Sequence, residues 1–181
     1  MSALVTGDEF AALFTGFDRT AVRLETRDRY AMADEAEPCR RFLAGAPVPI
    51  EWFSPWLDLV SRAVSDGKRF RRVRVVPEPL TDYLRFELWL CQFNVEAGED
   101  IAYVDSDIAA ALLLPPYDYW LFDNERLARM HFDRAGHLLG AEIVTDPDAV
   151  DHHGRAWETA YAGATPYRQY AAHHPVTATI E

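Results

Sequence analysis

Five cations fall within seven residues at Lys68, Arg69, Arg71, Arg72 and Arg74. A cluster of that density could hold a phosphate, a nucleotide or another small anion at the mouth of a sheet. The stretch reads as a strand, and alternation then puts Arg72 and Arg74 on one face and Arg69 and Arg71 on the other, so no single basic face results. The alternative is a solvated helix-to-strand edge neutralised by Glu87, Asp58 or Asp82. A second polar set follows at Glu78, Tyr83, Arg85, Glu87 and Asn94. Tyr83, Glu87 and Asn94 share one flank of an apolar helix, where buried polar groups must find partners. They form either a structural network, with Glu87 against Arg72 or Arg74, or the lining of a pocket at the carboxyl end of the sheet. A third set is Asp118 and Asp123 with His131 on the next strand. A His–Asp pair across that hairpin could transfer a proton or orient a ligand, and the competing reading is a histidine satisfied structurally.

Other chemistries lack their spacing. His152-His153 and His173-His174 do not have the i, i+4 arrangement that sets two imidazoles on one helix face, so no metal site is expected. Ser65, in Ala63–Gly67, closes a helix, whereas a nucleophile elbow follows a strand and opens one. The nine glycines are scattered and form no phosphate-binding loop. Cys39 and Cys91 are far apart, and Cys91 lies in an apolar helix as a small hydrophobe. No catalytic residue, metal ligand or cofactor is assigned.

The elements that must position these residues are legible from periodicity. Thr6 to Phe14 reads as a helix with Thr6 and Glu9 as a capping box. Ala21 to Tyr30 alternates as a half-exposed strand, with Val22, Leu24 and Thr26 opposite Arg23, Glu25 and Arg27. Residues 31–50 read as a long connection. Ser54-Pro55 opens a helix that Gly67 closes. Phe70 to Val76, a helix over Leu80–Ala97 and Ile101–Val104 make a βαβ unit whose strands run parallel. The helix shows one narrow wet stripe, Asp82, Arg85, Trp89, Gln92 and Glu96, so it should be sandwiched between layers. A helical turn at Ile108–Leu114 leads to an antiparallel meander of Tyr119–Phe122, Leu127–Phe132 and Leu138–Val144. Asp146-Pro147 opens a last helix striped with Val150, His153, Trp157 and Ala160. The reading is one α/β domain over 1–165 and a loose tail over 166–181.

Composition narrows the function classes. The 181 residues are 49% apolar and 26% charged, ordinary values for a globular chain. A formal net charge of −11 repels phosphate backbones and anionic bilayers, which disfavours direct nucleic-acid binding and attracts basic protein surfaces. No apolar run approaches the ~20 residues that span a bilayer, and the N-terminus lacks a signal peptide's cationic and apolar regions. A cytoplasmic location is expected.

Two resemblances follow from particular phrases. "LETRDRY", "WLDLVSRAVSDGKRFRRVRVVPEPLTDYLRFEL", "NVEAGEDI", "YDYWLFDNERLARMHFD" and "AWETAYAGATPY" resemble an actinobacterial domain family of unassigned function, whose members tend to be encoded beside helix-turn-helix regulators. That resemblance implies no established activity. The basic "GKRFRRVRVV", the helix end "AGEDI" and the strand "YWLFDNERLARM" are similar to the phospholipase D-like fold. With Asp123 as the matching acid of that superfamily, its Lys position holds Asp118 and its His position holds Pro116. The resemblance therefore implies a degenerate site without phosphodiesterase chemistry.

The sequence supports a single α/β domain with a mixed sheet, a βαβ core, an antiparallel meander edge and flanking helices, phospholipase D-like but degenerate. Its expected role is a non-enzymatic accessory module that binds a helix-turn-helix partner protein and a small anionic ligand. The ligand candidates are Arg72, Arg74, Glu78, Tyr83, Arg85, Glu87, Asn94, Asp118, Asp123 and His131. Trp89 and nearby acids are the expected partner face, and Arg74→Ala is expected to weaken binding while sparing the fold. The alternatives are an enzyme using Glu87, His131 or Asp123 as acid–base groups, and a component of a toxin–antitoxin-like cassette.

Overall fold

Strands that bury both faces need a layer on each side, and the centre of this sheet is of that kind. In the computed structural model, which describes residues 3–181, β1 (Thr20–Glu25), β2 (Arg69–Val76) and β3 (Asp100–Asp105) run parallel. Next to β1, β4 (Tyr119–Phe122) turns antiparallel and continues into the meander of β5 (Arg126–Phe132) and β6 (Leu138–Val144). The short β7 (Thr165–Pro166) closes the far edge on β3. The order is β6-β5-β4-β1-β2-β3-β7, one seven-stranded mixed sheet. The βαβ unit and the meander stand where periodicity put them.

Three helices and the segment after the opening one cover one face. Phe14 and Phe17, following α1 (Gly7–Ala12), join Val60 and Ala63 of α3 (Ser54–Ser65) against Phe70, Trp120 and Met130. Alongside them α4 (Asp82–Glu96) packs Leu84, Leu88 and Cys91 on Val76, Ile101 and Tyr103. On the opposite face α5 (Ser106–Ala111) and α6 (Pro147–Gly163) bring Ala109, Val150, Trp157 and Ala160 onto Val22, Leu24, Val73 and Leu121. The stop signals act as the residues require. Gly98 takes φ +103, and the N–H groups of Gly98 and Glu99 bond the carbonyls of Val95 and Asn94, a Schellman end to α4.

Five expectations change. The strand expected to be half-exposed over Ala21–Tyr30 ends at Glu25 and is buried on both faces. The opening helix ends at Ala12, and Thr6 makes no side-chain cap bond. The connection over 31–50 contains α2 (Ala36–Leu43), whose Phe42, with Val48, packs on Phe86, Trp89 and Leu90. That outer layer buries Trp89 to 3% exposure, so Trp89 belongs to the core and not to a partner face. The tail over 166–181 begins with the second residue of β7 and continues into α7 (Tyr167–His173). Tyr170 stacks on Tyr103 at 4.3 Å, and Val48 bridges Ile180. Apolar and aromatic contacts therefore hold the segment that its Pro and His content had suggested was loose. No helix among the described residues is long and apolar enough to cross a membrane.

Candidate functional site

Register brings the charges of two strands together. Parallel pairing sets Arg23 beside Arg72 and Glu25 beside Arg74, and all four share the parity that faces α3 and α4. Glu25 sits at the centre, 1% exposed. Its Oε1 lies 2.9 Å from Arg23 Nη2 and 3.2 Å from Arg72 Nη1. Its Oε2 accepts from Arg74 Nε and Nη2, both at 2.6 Å. Arg74 Nη2 also reaches Glu87 Oε2 at 2.6 Å. Arg72 Nε donates to Glu99 Oε1 at 2.8 Å, and Asn94 Nδ2 donates to Glu99 Oε2 at 2.6 Å. The Schellman turn at Gly98 is what folds Glu99 back beneath its own helix. On the other flank Asp118 accepts from the Thr26 N–H at 2.8 Å, the Thr26 hydroxyl at 3.0 Å and the Tyr30 hydroxyl.

Burial alone would oppose ionisation of Glu25, but Arg23, Arg72 and Arg74 outweigh it and hold the carboxyl well below the usual range. The same pairing keeps Arg72 and Arg74 charged despite burial, against Glu25 in both cases and against Glu99 and Glu87 respectively. An ion network of this kind survives in low dielectric only because each member is paired.

Above the floor lies a cavity of about 430 Å³, within the range of small-molecule sites. Phe14, Trp52, Trp56, Trp120 and Phe132 supply its aromatic walls. Arg23 lies 5.3 Å over the Trp120 ring. At the lip, Tyr83 donates to Glu35 Oε2 at 2.7 Å. Burial first, and the nearby Glu87 second, push the Glu35 carboxyl up to about 8. A wider depression of about 650 Å³ shares Tyr30, Met32, Glu35 and Tyr83 with this lip. Three polar atoms of lining residues, themselves buried, have no hydrogen-bond partner among the described residues: Arg23 Nε, Arg74 Nη1 and Glu87 Oε1. Cys91 also lines the cavity, and burial pushes its thiol up to about 11, which leaves it protonated and poorly nucleophilic at neutral pH.

The ten sequence candidates divide. Arg72, Arg74, Glu87 and Asn94 meet at the floor, Tyr83 stands at the lip, and Asp118 anchors the flank. The network and pocket readings both describe this place, since the network is the pocket's floor. Glu78 lies outside it, accepting from the Tyr170 hydroxyl at 2.7 Å with His174 Nε2 3.0 Å away. Arg85 is exposed on the far side of α4. Asp123 sits in the β4–β5 turn and accepts the N–H groups of Asp18, Arg19 and Thr20 at 2.7–2.8 Å. His131 shares the face of Arg129, 3.6 Å from Glu142. Asp118 faces the other way, so no His–Asp pair forms across the hairpin. Arg74 is 1% exposed and bonded to two carboxylates, so Arg74→Ala would leave Glu87 without a cation and take one of three from Glu25, a cost to the fold as well as to any binding.

Sequence reasoning missed Arg23, Glu25, Tyr30, Glu35, Glu99 and the three tryptophans. One signal was available for two of them. Arg23 and Glu25 alternate against Val22 and Leu24 in a strand that runs beside Arg72 and Arg74, so complementary charge on adjacent strands could have paired them.

Fold and site together define an α/β domain with an aromatic-walled cavity set on a buried ion network. Residues 8–172 match the model of DUF6879, a domain of unknown function, and the chain belongs to that family. The expectation of a domain family without assigned function is thereby met. Comparison with curated proteins yields no match.

Proposed function

We propose that this domain is a non-enzymatic regulatory module. It binds a small molecule in the central cavity and a helix-turn-helix DNA-binding protein on its acidic surface. The observation that carries the reading is the cavity itself, with aromatic walls over a floor that leaves Arg23 Nε, Arg74 Nη1 and Glu87 Oε1 unpartnered. Buried polar atoms without partners are rare in native interiors, and a ligand or water that reaches the floor would supply what they lack. Support for a non-enzymatic role is the dispersal of the acid–base candidates: Glu87 is locked to Arg74, Asp123 caps a turn, and His131 lies on the other face.

Likeness to a degenerate phospholipase D-like sensor domain is part of the same proposal. A parallel centre with an antiparallel meander agrees with it in outline. Asp118, at the position of that superfamily's Lys, serves here as an acceptor for Thr26 and Tyr30. For the partner, we assign the α5 end, where Ile108, Leu112 and Leu113 are exposed beside Asp105 and Asp107. An apolar knob among acids suits a basic protein surface. The test is co-purification of the tagged protein from its host at low salt, with mass spectrometry of both proteins and small molecules. Low salt matters because screening acts within about 10 Å at 0.1 M. A stoichiometric helix-turn-helix protein supports the reading; a chain that elutes alone and releases no small molecule on denaturation overturns it.

A further inference from the structure

The charge of the cavity says what kind of ligand it takes. Its lining carries three cations, Arg23, Arg72 and Arg74, and four acids, Glu25, Asp34, Glu35 and Glu87. Every one of those guanidinium groups already faces carboxylates: Arg23 and Arg72 share Glu25, Arg72 adds Glu99, and Arg74 binds Glu25 and Glu87. A small anion, the ligand expected from the Arg cluster alone, would find each guanidinium group already engaged by a carboxylate and would have to enter beside Glu87 and Glu35. Two carboxyl groups of the lining keep spare acceptor capacity. Among the described residues Glu87, 6% exposed, has no partner for its Oε1, and Glu35 meets only the Tyr83 hydroxyl.

We propose that the cavity takes a small aromatic amine, its ring among Trp52, Trp56 and Trp120 and its ammonium group set against Glu87 and Glu35. The inference rests on the ligand-binding reading above. Aromatic walls attract a cation through their negative ring faces, and an ammonium donates where Glu87 Oε1 needs a donor. Arg23 Nε and Arg74 Nη1 are unpartnered donors of the same floor, so a ring that also carries an acceptor is the fuller match. The free protein holds a proton on Glu35 instead of a cation. The groups around that carboxyl are Glu87 and Tyr83 from α4, Arg74 from β2 and Glu25 from β1. A bound ammonium favours the carboxylate form, so binding at neutral pH releases the Glu35 proton.

The experiment is calorimetric titration of the full chain at pH 7 with tryptamine, tryptophol and indole-3-propionate, one ring bearing positive, neutral and negative tails. Each titration is run in two buffers of different ionisation enthalpy. Tryptamine should bind at least about tenfold more tightly than tryptophol, the factor that ~1.4 kcal/mol produces, with indole-3-propionate weakest. Tryptamine binding should release protons, and Glu35→Gln should abolish that release while binding persists. Glu87→Gln should lower the ratio of tryptamine to tryptophol affinity toward one. Equal or tighter binding of tryptophol or indole-3-propionate overturns the amine and leaves the ligand cavity standing. Absence of binding by all three at millimolar concentration overturns both.

Discussion

Replacing Glu25 with Gln keeps the side chain's shape and removes the charge that three guanidinium groups share. Breaking a buried ion pair by deleting one partner costs about 3–5 kcal/mol, because the other charge is left without compensation. The low end applies here, since Arg72 keeps Glu99, Arg74 keeps Glu87, and Arg23 keeps Asp118 at 3.6 Å. A loss of ~3 kcal/mol is a large part of the 5–15 kcal/mol that a domain has in total. At this chain length it should lower Tm by about 6–12 °C. The pH dependence gives a second signature. Glu25 is depressed below its ordinary value of 4.5, so its contribution is fully present above pH 4.5 and is lost as the pH falls toward the folded value. The gap between wild type and Glu25→Gln should therefore be constant at neutral pH and narrow on acidification. Urea unfolding followed by circular dichroism, from pH 7 down into the acid range, measures both. A cost under about 1 kcal/mol, or a gap that does not change in acid, would mean that the network is a set of weak solvated pairs and the reasoning fails.

Three further outcomes are expected. Gly98→Ala puts a side chain at φ +103, its Cβ 3.0 Å from Val64 Cγ1, and should cost about 1–3 kcal/mol, read as a lower urea midpoint. The raised Glu35 carboxyl binds a proton in the folded protein that the unfolded chain releases, so stability should fall as pH rises from 4.5 to about 8; denaturant titrations of Glu35→Gln should be flatter across that window. Leu113→Ser, at a residue 88% exposed, should leave Tm unchanged within about 0.5 kcal/mol of stability and remove the helix-turn-helix protein from the low-salt eluate; an unchanged eluate would place the partner face elsewhere.

How much was visible beforehand depends on the range of the interaction. Stop signals, strand parity and the meander are set by neighbours a few residues apart, so Gly67, Gly98 and Leu138–Val144 declared themselves. The parity of Arg72 and Arg74 did too, and so did the shared flank of Tyr83, Glu87 and Asn94 on α4. Glu25 and Trp89 did not. Each has the local pattern of a surface residue, one in an alternating strand and one in a polar helical stripe. Each is buried by contacts that a local window does not see: Glu25 by Arg72 and Arg74 of the paired strand, and Trp89 by α2 over α4.

By itself, then, the sequence determined an acidic α/β chain, a parallel βαβ centre and an antiparallel edge, because periodicity and turn chemistry are properties of consecutive residues. Only the tertiary structure decided that Arg23, Glu25, Arg72, Arg74, Glu87 and Glu99 are one network beneath an aromatic cavity. Those six come from three separate stretches of chain, and their neutralisation depends on the β1–β2 register and on which helix covers that face. A cluster of five cations reads as an anion site until the carboxylates opposite it are in place.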